Sequence, residues 1–105
     1  MAQFDIHENT DTGSARHTPY LLNVQADVLS ELATRVVVPL RTKAGREETR
    51  ISRLHPVVSV AGVDHVAVVT EMAAVPASLL GRQVDTAGTQ GTEITAALDL
   101  LLTGF

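Results

Sequence analysis

Cysteine is absent from this sequence. That excludes disulfides and cysteine-based metal sites, and it fits a reducing cytosol. A basic surplus is missing too. The formal net charge is −4 at pH 7, with a pI near 5.4. An acidic chain gains little from counterion release on nucleic acid, so no direct contact with DNA or RNA is expected. No apolar run reaches the ~20 residues that span a bilayer. The amino-terminal MAQFDIHENT lacks the basic and apolar regions of a signal peptide. The expected setting is cytoplasmic, without a membrane partner. The usual catalytic sets are also missing: no glycine-rich phosphate loop, no GxSxG elbow, no HExxH. Serines are present, but nothing places a histidine and an aspartate around one of them. No internal repeat, low-complexity block or linker divides the chain, which reads as a single domain, residues 1–105. A chain of this length buries a core of modest size, so dimerisation would help it.

What is present is organised around the carboxyl end, GTEITAALDLLLTGF. Ile94, Ala97, Leu98 and Leu101 recur at i, i+3, i+4 and i+7, one stripe of a helix. The helix is expected over roughly Thr89–Thr103, with Thr89 or Thr92 capping its start and Glu93 in the first turn. Leu100 and Leu102 are apolar as well, and the chain ends on Thr103, Gly104 and Phe105. That end admits two readings: a C-cap glycine followed by a ring tucked into the core, or a tip that binds a partner.

The rest of the chain reads as strands. Ala2–Glu8 alternates, with Phe4 and Ile6 on one face and His7 on the polar one. Asn9–Thr18 is a polar hairpin loop, and Pro19–Gln25 is a second strand with Tyr20, Leu22 and Val24 on one face. Ala26–Leu32 breaks the alternation and leaves Val28 and Leu29 as an apolar pair in a short connection, where burial is hard to achieve. Arg35–Leu40 is a central strand, its Pro39 marking a bulge or edge near the end. Arg41–Arg53 is charged and reads as a solvated loop. His55–Val60 and His65–Met72 flank a turn at Ala61–Asp64. His55 and His65 lack a third ligand, so no metal and no other cofactor is expected. Ala73–Gly81 is an extended piece ending in a short helical turn, and Arg82–Gly88 leads out polar. Several β runs and one terminal helix predict an antiparallel sheet, curved or barrel-like.

The ordered set NVQADVL, RVVVPL, LHPVVSVAG and TEMAAVPASLLG, followed by a helix with a short glycine-plus-apolar tail, resembles the CcdB family. These are toxins of toxin–antitoxin modules, and the resemblance covers essentially the whole chain. It implies a homodimer of SH3-like, partly open antiparallel β-barrels, each with a carboxyl-terminal helix. It implies a non-catalytic topoisomerase poison: the family's type member binds the A subunit of DNA gyrase and traps it on cleaved DNA. A CcdA-like antitoxin with a disordered tail masks the gyrase site. Matched to the family pattern, the gyrase-binding positions are Val28, Leu29, Asp99, Leu102, Thr103, Gly104 and Phe105. Asp99 stands where the family has an amide, Leu102 where it has an aromatic, and Thr103 where it has a tryptophan that stacks on an arginine of gyrase. These departures open a second reading, a homologue with a lost or altered target that still binds an antitoxin. A third is an endoribonuclease of the MazF type, which shares the architecture and would use Arg53 with His55.

Overall fold

The computed structural model describes residues 2–42 and 53–104. Seven strands are assigned among them: β1 (Asp5–Asn9), β2 (Tyr20–Asn23), β3 (Thr34–Thr42), β4 (Val57–Val60), β5 (Val63–Ala67), β6 (Ala73–Pro76) and β7 (Leu80–Thr86). One helix, α1 (Gly91–Thr103), follows them. All pairings are antiparallel. The strand order is β4-β5-β3-β2-β1-β7, with β6 also on β3.

β3 is the hub, as its β-branched sequence implies. One edge pairs with β2. The other is shared, Thr34–Val37 with β6 and Leu40–Thr42 with β5. Pro39 sits at the changeover between these two partners. Its carbonyl accepts the Val68 N–H at 3.0 Å, and the donor it lacks falls where the ladder is already interrupted.

The sheet curls into a half-barrel. Its far edges are tied by polar links. Asp85 Oδ2 on β7 accepts the Ala61 N–H at 2.8 Å, and Gln90 Nε2 donates to the Val57 carbonyl at 2.8 Å. The β4–β5 hairpin turns on Ala61 and Gly62, both at positive φ (50° and 84°), the geometry that matches the twist of a two-residue hairpin. Inside the curl lies the main core, built around Ile6, Leu22, Val38, Leu40, Val58 and Ile94. Leu21, Val37 and Leu80 form a smaller cluster.

The helix stripe behaves as its spacing dictates. Ile94 and Ala97 are fully buried, and Leu98 and Leu101 pack against the same core. Burying one isoleucine contributes about 1.5–3 kcal/mol. At the other end Gly104 adopts φ 81° and its N–H bonds the Leu100 carbonyl at 3.0 Å. A side chain is disfavoured at that left-handed angle, which is why glycine closes the helix.

Four expectations need correction. The helix starts at Gly91, with Gln90 in the N-cap position and no side-chain cap bond, so neither Thr89 nor Thr92 caps it; a 3₁₀ turn at Gly88–Gln90 leads in instead. The polar segment after Gly81 is a strand, β7, paired along β1 with irregular register. That pairing covers His7, placed above on an exposed face; it is buried, with Nδ1 2.9 Å from the Gly81 carbonyl. The strand after the Ala61–Gly62 turn ends at Ala67, and Val69–Glu71 forms a 3₁₀ turn. Of the charged stretch, Lys43, Arg46, Glu47, Glu48 and Arg50 lie outside the described residues, as does Phe105.

Candidate functional site

The last turn of α1 carries four of the residues singled out from the sequence. Asp99, Leu102 and Thr103 fall at i, i+3 and i+4, so they share one face, and Gly104 follows them. All four are exposed, Leu102 at 66%. The stripe continues back along the helix through Ala96, Thr95 and Thr92, which with Asp99, Gly88, Thr89 and Gly91 line a trough of about 540 Å³. This face lies roughly opposite the buried stripe of Ile94 and Ala97. Thr103 is turned inward on its own helix: its Oγ1 donates to the Asp99 carbonyl at 2.7 Å. That hydroxyl has its donor engaged and keeps only acceptor capacity for a partner.

Val28 and Leu29 lie on a separate segment, the 3₁₀ turn Asp27–Leu29 that joins β2 to β3. Val28 is 85% exposed, Leu29 47% and Leu32, four residues after Val28, 52%. Asp27 pins the start of this turn by accepting the Gln3 N–H at 2.7 Å. The turn therefore presents a cluster of apolar side chains on an otherwise polar connection. Scattered exposed leucines need no explanation, but three within five residues form a patch.

Two groups escaped the sequence reading. Arg41, expected in the charged loop, lies in β3 next to its last residue and pairs with Glu71; one arm of this bidentate contact, Nη1 to Oε2, measures 2.9 Å. The pair stands beside a cavity of about 240 Å³ floored by Leu21, Val37 and Val75 and rimmed by Asn9, Asp11 and Thr18. The strand alternation through Arg35, Val37 and Pro39 carried the signal, since it places Arg41 on the same side. Gln25 and Arg35 were also passed over. Both are buried beneath the apolar turn, and no local sequence pattern announces that.

The remaining candidates are not assembled into a site. Arg53 is exposed on the approach to β4. His55 Nε2 lies 3.1 Å from Thr70 Oγ1. His65 is buried, its Nδ1 2.8 Å from the Val63 carbonyl and its ring edge-on to Tyr20. Among the described residues no cluster of three or more histidines or acids could hold a metal. No helix among them is long and apolar enough to cross a membrane. The Asp85 carboxyl is held below its ordinary value, first by the Ala61 N–H and then by the Thr86 N–H.

The molecule is a small β protein, a half-barrel with an outward apolar turn and an exposed helix end. The family model described as CcdB protein matches residues 3–104, and the chain belongs to that family of toxin–antitoxin toxins. No curated protein sequence matches it. Solved structures with the same fold include an endoribonuclease in complex with its cognate antitoxin from Mycobacterial species. The two share 16% identity at a TM-score of 0.75, over 97% of this chain and 94% of that one. Another is the Mycobacterium tuberculosis toxin MazF-mt6, at 17% identity and a TM-score of 0.66, over 90% of this chain and 92% of that one. At these identities the likeness establishes the fold alone.

Proposed function

We propose that this protein is the toxin of a type II module that binds the A subunit of DNA gyrase and holds the enzyme on cleaved DNA without chemistry of its own. Its active form is a cytoplasmic homodimer, and a CcdA-like antitoxin neutralises it by covering the same surface. The observation that carries this reading is the exposed end of α1. Leu102 stands 66% exposed beside Asp99 and Thr103, on a turn that none of the described elements covers deeply enough to bury. The apolar turn at Val28 and Leu29 supplies a second contact of the same character. Binding concentrated at such tips needs no nucleophile, base or metal. Expression in sensitive cells should arrest growth, and purified protein with gyrase should stabilise cleaved DNA. Absence of both effects would count decisively against the reading.

One specific observation favours a second reading, a homologue whose target has changed. The Thr103 hydroxyl bonds its own helix at 2.7 Å, so the position that carries an aromatic anchor elsewhere in the family offers no ring and no free donor here. This reading expects tight antitoxin binding without toxicity. An endoribonuclease reading has less support. Arg41, the cation beside the 240 Å³ cavity, is neutralised by Glu71, which weakens any path for a phosphate backbone. RNA left intact after incubation would exclude it.

A further inference from the structure

The connection that displays Val28 and Leu29 has no core of its own. None of residues 26–34 is buried, so apolar packing does not hold it in shape. Its start is tied by the Asp27 carboxylate to the Gln3 N–H, and two polar side chains beneath it hold the rest. Arg35, 7% exposed, sends Nη1 to the carbonyls of Leu32 and Thr34 and Nη2 to that of Ser30. Among the described residues no carboxylate pairs with this guanidinium. A cation so buried is costly unless charge-assisted hydrogen bonds replace its water, and here three carbonyls do so at the two terminal nitrogens, while Nε has no partner among the described residues. Gln25, 9% exposed, completes the arrangement. Its Oε1 accepts the Val36 N–H at 3.0 Å and its Nε2 donates to the Leu29 carbonyl at 2.9 Å.

Within the turn itself the backbone makes short-range bonds, Leu29 N–H to Ala26, Ser30 to Asp27 and Leu32 to Leu29, at 3.0–3.1 Å; after it the Ala33 carbonyl accepts the Ala77 N–H at 2.8 Å. Such turns are weak when isolated. We propose that Arg35 and Gln25 are positioning residues, which fix the carbonyls of Leu29, Ser30, Leu32 and Thr34 and so hold the apolar turn in its partner-binding shape. The proposal rests on the toxin reading above. A planar fork is required, because a lysine ammonium is a single point and cannot reach three divergent acceptors in the same way.

The test compares the full-length chain with Arg35→Lys and, independently, Gln25→Glu. Amide hydrogen exchange is read at Leu29, Ser30 and Leu32, and affinity is measured for purified gyrase A subunit. We expect exchange at those three amides to rise at least tenfold in each variant while amides of the core strands stay unchanged, and affinity to fall at least tenfold. In the Arg35→Lys background, Val28→Ala should lose most of its effect on binding, since the side chain is no longer held in place. Unchanged exchange overturns the proposal, and so does faster exchange with undiminished affinity. If Arg35→Lys fails to fold, Gln25→Glu carries the same comparison. A wild-type chain that does not bind gyrase A overturns the function proposed above, and the exchange rates alone then decide whether the two residues set the turn.

Discussion

Replacing Thr103 by tryptophan should strengthen binding at the end of α1 with little effect on the fold. Thr103 is the last helical residue and is exposed. Its one internal link is the 2.7 Å bond to the Asp99 carbonyl. A bond of this i to i−4 kind competes weakly with solvent, and losing it at an exposed helix end leaves the carbonyl to water. Threonine and tryptophan have similar helix propensities. The free energy of unfolding should therefore change by no more than about 0.5 kcal/mol. The binding side differs. An indole stacked on a guanidinium contributes about 1–2 kcal/mol when desolvated, and as an interface anchor a tryptophan is worth roughly 2 kcal/mol or more. That corresponds to a gain of about thirtyfold in affinity. Titration calorimetry against gyrase A subunit measures the gain, and a thermal melt of the same preparation checks the fold. A gain below about threefold, with the melt unchanged, would refute the reasoning: the deficit would then not lie at this position.

Three further outcomes follow from the fold. Ile94→Ala empties a fully buried site between α1 and the sheet and should cost about 2–5 kcal/mol, offset slightly by alanine's helix propensity; urea unfolding reads it. Gly81→Ala places a Cβ 2.9 Å from Thr10 Cγ2 and 3.1 Å from the Glu8 carbonyl oxygen. The backbone atom cannot rotate away, so a loss of about 1–3 kcal/mol is expected in the same assay. Asp85 gives a pH dependence. Its folded carboxyl lies below the ordinary 3.8, chiefly through the Ala61 N–H. A depressed carboxyl adds stability that is fully present above the unfolded value and lost as pH falls through the folded one. Asp85→Asn should flatten the stability curve below about pH 4 and lower stability near neutrality, where the charged carboxylate makes its full contribution.

Much of this was legible because a few segments obey one simple period. The stripe through Ile94, Ala97, Leu98 and Leu101 could only be a docked helix. The alternation of Tyr20, Leu22 and Val24 could only be a one-sided strand. Val28 and Leu29 stood out as apolar residues in a connection too short to bury them. The failures share a cause. β7 reads as a polar lead-out because none of its residues after Leu80 is buried; its pairing with β1 is made by the backbone, which leaves no trace in side-chain pattern. His7 was misplaced for the same reason, since the strand that covers it was not recognised. Gln25 and Arg35 look like ordinary surface residues, because their burial depends on where a later connection folds back. Tertiary context, not local sequence, decides such positions.

On the proposed function, the helix separates folding from recognition along its own length. Its docking rests on Ile94 and Ala97 in its first two turns, with Leu98 and Leu101 half-buried beyond them. The final turn adds little to the core, yet it holds Asp99, Leu102 and Thr103 in fixed relation because the backbone bonds continue to Gly104. A substitution in the first two turns should therefore lower stability and binding together, by unfolding the molecule. One at Leu102 or Thr103 should alter binding alone. The β2–β3 connection is built the other way: its apolar contacts and the polar groups that shape them occupy the same few residues. Substitutions there should change recognition through the geometry of the turn even when they touch no partner. The carboxyl tip can thus exchange its side chains with little risk to the fold, whereas the turn is constrained by Arg35 and Gln25. That asymmetry fits the proposed function, in which Thr103 at the tip is open to exchange while the apolar pair of the turn is held in place.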